Sequence, residues 1–595
     1  MKRVLSLVVI AILAFSMSAC QAAAPEGTVI VGTPALNGDF VAGFGNSSYD
    51  LAVRRLIGEG LETYAVNPNG EFILNPTVVK DLATSEDEEG NKTYTFELQS
   101  GLKWNDGEPV TAKDYLFGIL FGASPAWREA GASSSAGQNL VGYEAYNDGD
   151  TTTFEGIELI DDLKFSLTLA AENLPYFYEV AWVAYGATPM HVWGADLTLS
   201  EDGKSIEGDL TAAAEAVATT ERFAPTVTAG MYKFVSYEND TVTLEYNEHY
   251  PGDYRGEQPK VANVVVRYIN QTLDVDLAIS GDVDIVAGVV EGAKIEKAIN
   301  SDQTDVISYK RNGYGLIAMT NDFGPTQYPE VRKALAYLID RQEFLDNILG
   351  GYGALVDADY GLAQWMYIAK AAELEETLES FNLNVDKANE LLDESPYRFE
   401  EDGTTPWDVS QAGPEYFRYN AEGERLLINH FGTVDNEITD LIGAKWPEAM
   451  QFAGVDFYLE YGDFNALLDN YYYGYELGDD RRFNTFNLAT GFADAYDPYY
   501  NLHSDYYGTW QNALGVNDPE FDRLIEQMRN LDPEQRDEYI DAWFEYQTYW
   551  NEQLPQLPIY SNEYFDVFNK RITGLNTTPF YSWDRAMIDV EIVGD

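Results

Sequence analysis

A chain of 595 residues is too long for one hydrophobic core, so two or more lobes are expected. A hydrophobic content of 45% with 14% aromatics argues for a folded protein and against general disorder. The formal net charge of −62 is spread along the chain; it reads as a solubilising surface and argues against nucleic acid or anionic lipid as partners, since both would repel it.

At the N-terminus Lys2 and Arg3 precede an apolar run from Val4 to Phe15, followed by Met17-Ser18-Ala19-Cys20. The run is too short to span a bilayer and suits a signal peptide. Its end resembles a bacterial lipobox, with Met17 where leucine is more usual. That resemblance implies cleavage before Cys20 and a lipid on its thiol. Cys20 is the only cysteine, so no intramolecular disulfide can form and stability rests on packing. No later apolar run approaches about 18 residues. The expectation is a lipid-anchored protein on the outer face of the cytoplasmic membrane, extracellular or periplasmic.

Residues 21–27 read as a tether, and Thr28 to Gly32 as a first buried strand. A polar loop over 43–49, containing Asn46, Ser47 and Ser48, precedes an apolar-periodic run from Leu51 to Leu61. From Tyr94 to Tyr115 the chain predicts a strand, two turns and a helix start. Tyr94, Phe96 and Leu98 alternate with polar residues, Asn105-Asp106-Gly107 is turn chemistry, and Thr111 with Asp114 suits a helix N-terminus. The string from Trp104 to Asp114 resembles the "W-x-D-G-x-P-x-T-A-x-D" segment of the family 5 solute-binding proteins, the extracytoplasmic receptors of peptide-type ABC importers. The family's "E-G-L" turn is matched by Glu59-Gly60-Leu61, and the resemblance implies that the loop ahead of it, Asn46 to Ser48, faces a ligand cleft. An ordinary surface turn is the alternative there.

Gly131 to Asp150 reads as a flexible insertion, and Asn147-Asp148-Gly149-Asp150 lacks the spacing and closing glutamate of an EF-hand loop. Ile157 to Leu169 predicts a hairpin, and 200–221 a polar, alanine-rich helix. Strands are expected at Gly230 to Val235, Thr241 to Tyr246 and Val261 to Ile269. Asn247 to Tyr250 and Gly281 to Ile285 resemble the family's "N-x-x-Y" and "G-x-x-D-I". Tyr314 to Met319 predicts a crossing strand. Pro329 opens a helix whose stripe is Val331, Ala334, Leu335, Leu338 and Ile339, and Asp340 caps the next, stopped at Gly350-Gly351. Val331 to Leu335 with Asp340-Arg341 resembles "V-R-x-A-L…D-R". Two late helices are expected, Pro519 to Asn530 with the stripe Phe521, Leu524, Ile525 and Met528, and Pro533 to Trp550 with Ile540, Trp543 and Phe544, then strands at Leu557 to Tyr560 and Tyr564 to Phe568 returning to the first lobe.

Four histidines with no ligand pair at metal spacing, and no G-x-S-x-G, Walker A or G-x-G-x-x-G motif, leave an enzyme hard to build; no cofactor is expected. A receptor for varied peptides must read backbone amides and charged termini, and a buried ammonium requires a carboxylate. Gly491 to Pro498 resembles the "W-x-x-D-x-x-D/E-P" segment of the peptide-binding members, which implies that Asp494 meets the peptide ammonium. Gly491 replaces the usual tryptophan, and Phe492 is the candidate to supply an aromatic surface instead. Tyr473, in the cluster Tyr471, Tyr472, Tyr473 and Tyr475, is a candidate cleft residue that a lobe core would explain equally well. Trp104 reads as a packing residue.

The resemblance implies an α/β fold of the periplasmic-binding-protein type (type II, cluster C-like), with two lobes around a ligand cleft and an extra subdomain in the first. The expected boundaries are 1–20 signal peptide, 21–70, 225–313 and 559–595 lobe I, 71–224 the subdomain, and 314–558 lobe II. It further implies a monomeric receptor binding oligopeptides and docking on ABC permease subunits. Oligosaccharide is the alternative ligand, and a surface glycan or peptide hydrolase a more distant one.

Overall fold

The structure, a computed structural model, describes residues 26–45, 47–434 and 436–593. The signal peptide, Cys20 and Asn46 lie outside the described residues. Two sheets share one long strand, Gln556–Asn569. Its second half pairs antiparallel with Ile285–Val289 and Thr304–Lys310. From there lobe I continues through Glu26–Thr33, Val261–Tyr268, Thr241–Tyr246 and Tyr232–Glu238. Its first half pairs with Gly313–Met319, and lobe II continues through Thr485–Gly491, Leu427–Thr433 and Asp456–Gly462. The two predicted C-terminal strands are therefore one strand that serves both lobes before the chain returns.

Parallel pairing of Glu26–Thr33 with Val261–Tyr268 sets Val29 against Val264 and Val31 against Val266, valines that are buried because helices cover the sheet. Gly313–Met319 is buried throughout, as befits a strand crossing a lobe's centre. The chain passes between lobes twice, around residues 311–312 and 561–562. Arg311 ties the crossings, its backbone N–H donating to Asn562 at 3.1 Å and its guanidinium to the Thr490 carbonyl at 2.7 Å. Paired crossings of this kind are where lobes hinge.

The subdomain is an antiparallel sheet ordered Val79–Glu86, Lys92–Leu98, Lys164–Leu169, Ile157–Asp161, with the helix Ala112–Ala123 against it. Tyr94, Phe96 and Leu98 point into the core as the alternation requires, and Phe96 and Tyr115 stack on Phe165 at 5.3 and 5.0 Å. Trp104 is 1% exposed, a packing residue. At the helix start Thr111 and Asp114 form a capping box, in which Asp114 accepts the Thr111 N–H at 2.8 Å and its hydroxyl at 3.1 Å. The expected helix over 200–221 shortens to Leu210–Ala216, continued as a wide turn at Val217–Glu221.

Several family-like motifs prove to be joints. Arg332, 4% exposed, donates to the carbonyls of Thr326, Gln327, Gln553 and Leu554, and so satisfies the C-terminus of the helix Arg536–Gln553. Asp284, 1% exposed, accepts the Ile30 N–H at 2.7 Å and is held by Arg571, tying the first strand to the last segment. Asn247 turns the chain by donating to the Gly230 carbonyl at 2.8 Å.

Gly60 explains the "E-G-L" turn. A Cβ there would lie 2.3 Å from the Ala229 carbonyl oxygen, a backbone atom that cannot swing aside. Gly60→Ala is expected to destabilise lobe I by about 1–3 kcal/mol, read as a lowered urea midpoint. An unchanged midpoint would show that the two segments separate freely.

In lobe II the stripes of Pro329–Ala336 and Pro519–Arg529 are buried as predicted. The last long helix starts at Arg536 rather than Pro533, and its core face is Tyr539, Ala542, Trp543, Tyr546 and Trp550, with Ile540 and Phe544 only partly buried. The lobe also contains the helices Gln342–Asn347, Trp365–Thr377, Val385–Glu394, Glu437–Met450 and Phe464–Tyr472.

Candidate functional site

The Gly-rich segment after the helix Ala112–Ala123 folds back across it. Gly122 permits this, because a Cβ there would meet the Ser134 hydroxyl at 3.0 Å; Gly118 likewise leaves room for Thr188, whose hydroxyl a Cβ would meet at 2.5 Å. The Ser133 N–H donates to the Gly43 carbonyl at 3.0 Å, binding this loop to residues 42–45. Together they form one wall of a cavity of about 1460 Å³. The opposite wall is lobe II, at Tyr472, Tyr500, Asn501, Tyr506, Trp510 and Gln511. Rings dominate the lining: Trp127 stacks on Trp193 at 5.9 Å, Phe44 meets Trp127 edge-on at 5.1 Å, and Tyr472 meets Trp510 at 6.2 Å.

Tyr472, Asn501 and Gln511 also line a second cavity of about 520 Å³ that runs into lobe II. Its wall includes Leu488, Ala489, Thr490 and Gly491. These belong to the strand Thr485–Gly491, which pairs with Gly313–Met319 along its whole length but with Leu427–Thr433 only at Thr485 and Phe486. Among the described residues the far edge of Leu488 to Gly491 therefore has no partner strand, and it borders the cavity. An edge of this kind is a template for an extended backbone.

Deeper still, Asp359 accepts hydroxyl hydrogen bonds from Tyr314 at 2.6 Å, Tyr496 at 2.7 Å and Tyr546 at 3.2 Å. Burial raises its carboxyl above the usual range, and the three hydroxyls pull it back. The rim between the subdomain and lobe II is closed by Phe177, whose ring stacks on Tyr539 at 4.0 Å and whose N–H donates to the Arg529 carbonyl at 3.0 Å.

The residues singled out from the sequence fall in different places. Phe492 lines the lobe II cavity and packs on Tyr496 at 5.2 Å. Asp494 follows it on the loop, half-buried; among the described residues no donor hydrogen-bonds its carboxylate. Burial raises that carboxyl, Arg585 and Arg55 of lobe I lower it, and Glu59 raises it further. Glu59 is itself gripped by Arg585 at 2.8 and 2.9 Å and by Arg55 at 3.3 Å, so the "E-G-L" acid and two arginines face Asp494 across the lobes.

Ser47 caps the helix Ser48–Gly58 through a 3.4 Å bond from the Asp50 N–H, and Ser48 is that helix's exposed first residue. The residues that line the large cavity lie just upstream, Ala42 to Gly45. Tyr473 is 46% exposed and lies off both cavity walls; its neighbour Tyr472 lines both, because the helix Phe464–Tyr472 turns only one of the two inward. The serine-rich stretch 133–135, expected to be a flexible insertion, is cleft wall. Its composition marks a loop, and nothing in it says which surface the loop covers. Among the described residues no cluster of three or more metal-ligating side chains occurs, and no helix is long and apolar enough to cross a membrane.

Comparison with known proteins agrees with this geometry. The oligopeptide-binding protein OppA of Bacillus subtilis is 23% identical over 536 residues, covering 87% of this chain and 84% of that one. Lactococcal OppA, solved with an endogenous peptide in its closed conformation, superposes with a TM-score of 0.68 at 17% identity, over 95% of this chain and all of that one. NikZ of Campylobacter jejuni, solved with Ni(L-His), superposes at 0.65 with 16% identity over 95% of this chain and 99% of its own. Residues 77–513 match the family description itself, and the chain belongs to the bacterial extracellular solute-binding proteins, family 5.

Proposed function

We propose that this protein captures oligopeptides between its lobes, performs no chemistry on them, and delivers them to the permease of an ABC importer. The observation that carries this reading is the 1460 Å³ interlobe cavity continuing into a second of 520 Å³. Ordinary small-molecule pockets hold about 300–1,000 Å³, so the space suits an oligomer better than a single amino acid or a small chelate. The unpaired edge of Leu488 to Gly491 can receive an extended backbone. In this reading lobe I takes 26–70, 225–313 and the segment after 559, the inserted subdomain 71–224, and lobe II 314–558. A lipid on Cys20 would hold the monomer at the outer face of the membrane.

Asp494 is proposed to bind the peptide ammonium, displacing the pull of Arg585 and Arg55. Asp494→Asn is expected to weaken free-amine peptides by about 10–100-fold in calorimetry, the range of a charge-assisted hydrogen bond. N-acetylated peptides should bind the two forms equally. Equal affinity of both forms for free-amine peptides would end the assignment. Failure of every tested peptide to bind would end the peptide reading.

A further inference from the structure

Charged residues make up 23% of this chain, yet among the described residues none lines the 1460 Å³ cavity. Its wall is aromatic, through Trp127, Trp182, Trp193, Tyr472, Tyr500 and Trp510, and otherwise neutral, with Ser134, Gln138, Asn139 and Gln511 among its polar groups. Charges just behind the wall are taken up by the fold: Arg54 donates to the Gly45 carbonyl at 3.0 Å. Arg222 lies under Phe44 at 4.8 Å and is paired with Asp39. Arg529 lies under Tyr500 at 5.7 Å and is paired with Asp497. The lobe II cavity adds only Asp497, which is thus matched, and Asp359, whose carboxylate is occupied by three tyrosyl hydroxyls. In a molecule of net charge −62, a neutral chamber of this size is a local departure that the surface does not share.

We propose that the chamber selects peptides whose enclosed side chains are uncharged, with aromatic and amide-bearing residues preferred; this rests on the peptide reading above. A side-chain carboxylate or ammonium enclosed against this wall loses hydration and meets no charged lining residue, whereas rings and amides find ring faces and hydrogen-bonding partners. An acidic peptide is further opposed by the field of the whole protein. The selectivity comes from what the wall withholds, so it acts against charge of either sign.

The test is calorimetry on the full chain with octapeptides of free termini built from Trp, Tyr, Leu, Asn and Ser, through whose internal positions a single Glu or Lys is moved. At the enclosed positions either charge should weaken binding by about tenfold or more. Gln138→Lys, at an exposed position of the wall, should then recover about fivefold for the Glu-bearing peptides and not for the Lys-bearing ones. Charged and neutral peptides binding within about twofold of each other at every position, or no response to Gln138→Lys, would overturn the selectivity while leaving the peptide reading in place. If no octapeptide binds and neutral oligosaccharides raise the melting temperature instead, the peptide reading falls, and this inference with it.

Discussion

Arg341→Ala is expected to lower the free energy of unfolding of lobe II by about 3–5 kcal/mol. The guanidinium is 1% exposed and is consumed by the fold: it donates to the Phe381 carbonyl at 2.8 Å, the Val356 carbonyl at 2.8 Å, the Pro558 carbonyl at 3.2 Å and the Asp357 carboxylate at 2.6 Å. It thereby joins the strand shared by both lobes to two loops of lobe II. Truncation leaves three carbonyls and a carboxylate without their donor, in a place where water replaces it poorly. Lysine should recover little, because one point charge cannot serve a planar fork of acceptors. The measurement is urea unfolding with a probe in lobe II, where about 2–4 °C of melting temperature per kcal/mol should be lost as well. A change under about 1 kcal/mol would mean that the lobe repacks around the gap, and the account of Arg341 as a joint would fail.

The second large effect is one of pH. His430 is fully buried, with Nδ1 3.0 Å from the Thr485 hydroxyl and Nε2 3.2 Å from Asn487 Oδ1. The asparagine oxygen can only accept, so the neutral ring carries its proton on Nε2. Burial pulls the ring's pKa down to about 4, slightly offset by the Asn487 bond. Between pH 4 and the ordinary histidine value of about 6.5 the unfolded chain binds a proton that the folded chain refuses. Stability therefore falls as pH drops through that window, by about 3 kcal/mol in all, and is flat in this term above it. His430→Gln should remove the drop while leaving the curve above pH 7 parallel to that of the parent, in urea midpoints taken each half unit. Parallel curves across the whole range would show that the imidazole is hydrated in the folded state.

The sequence carried more of the fold than of the site. Tyr94, Phe96 and Leu98 announce a strand because period-2 burial is a local property of the backbone, and Phe521, Leu524, Ile525 and Met528 announce a helix face for the same reason. Arg332 and Arg341 were legible only as letters of a resemblance. Their work, capping a helix and clasping loops, depends on carbonyls over 200 residues away, Gln553 and Pro558. The late helix misread by its face shows the same limit: Tyr539, Tyr546 and Gln547 look polar in sequence but are drawn inward by Asp359 and its neighbours.

What the chain settled by itself was local and additive: the alternations and stripes of its elements, and a set of turn motifs in an order that marks a family. What only the tertiary structure decided was which loops look at one another. Ser133 to Ser135 became cleft wall and Tyr472 rather than Tyr473 turned inward because packing between distant segments aimed them, and the chamber is neutral because the nearby charges, Arg222 with Asp39 and Arg529 with Asp497, found partners far along the chain. Charge along a sequence is a count, whereas charge at a surface depends on pairing and distance, and both are fixed only when the lobes are assembled.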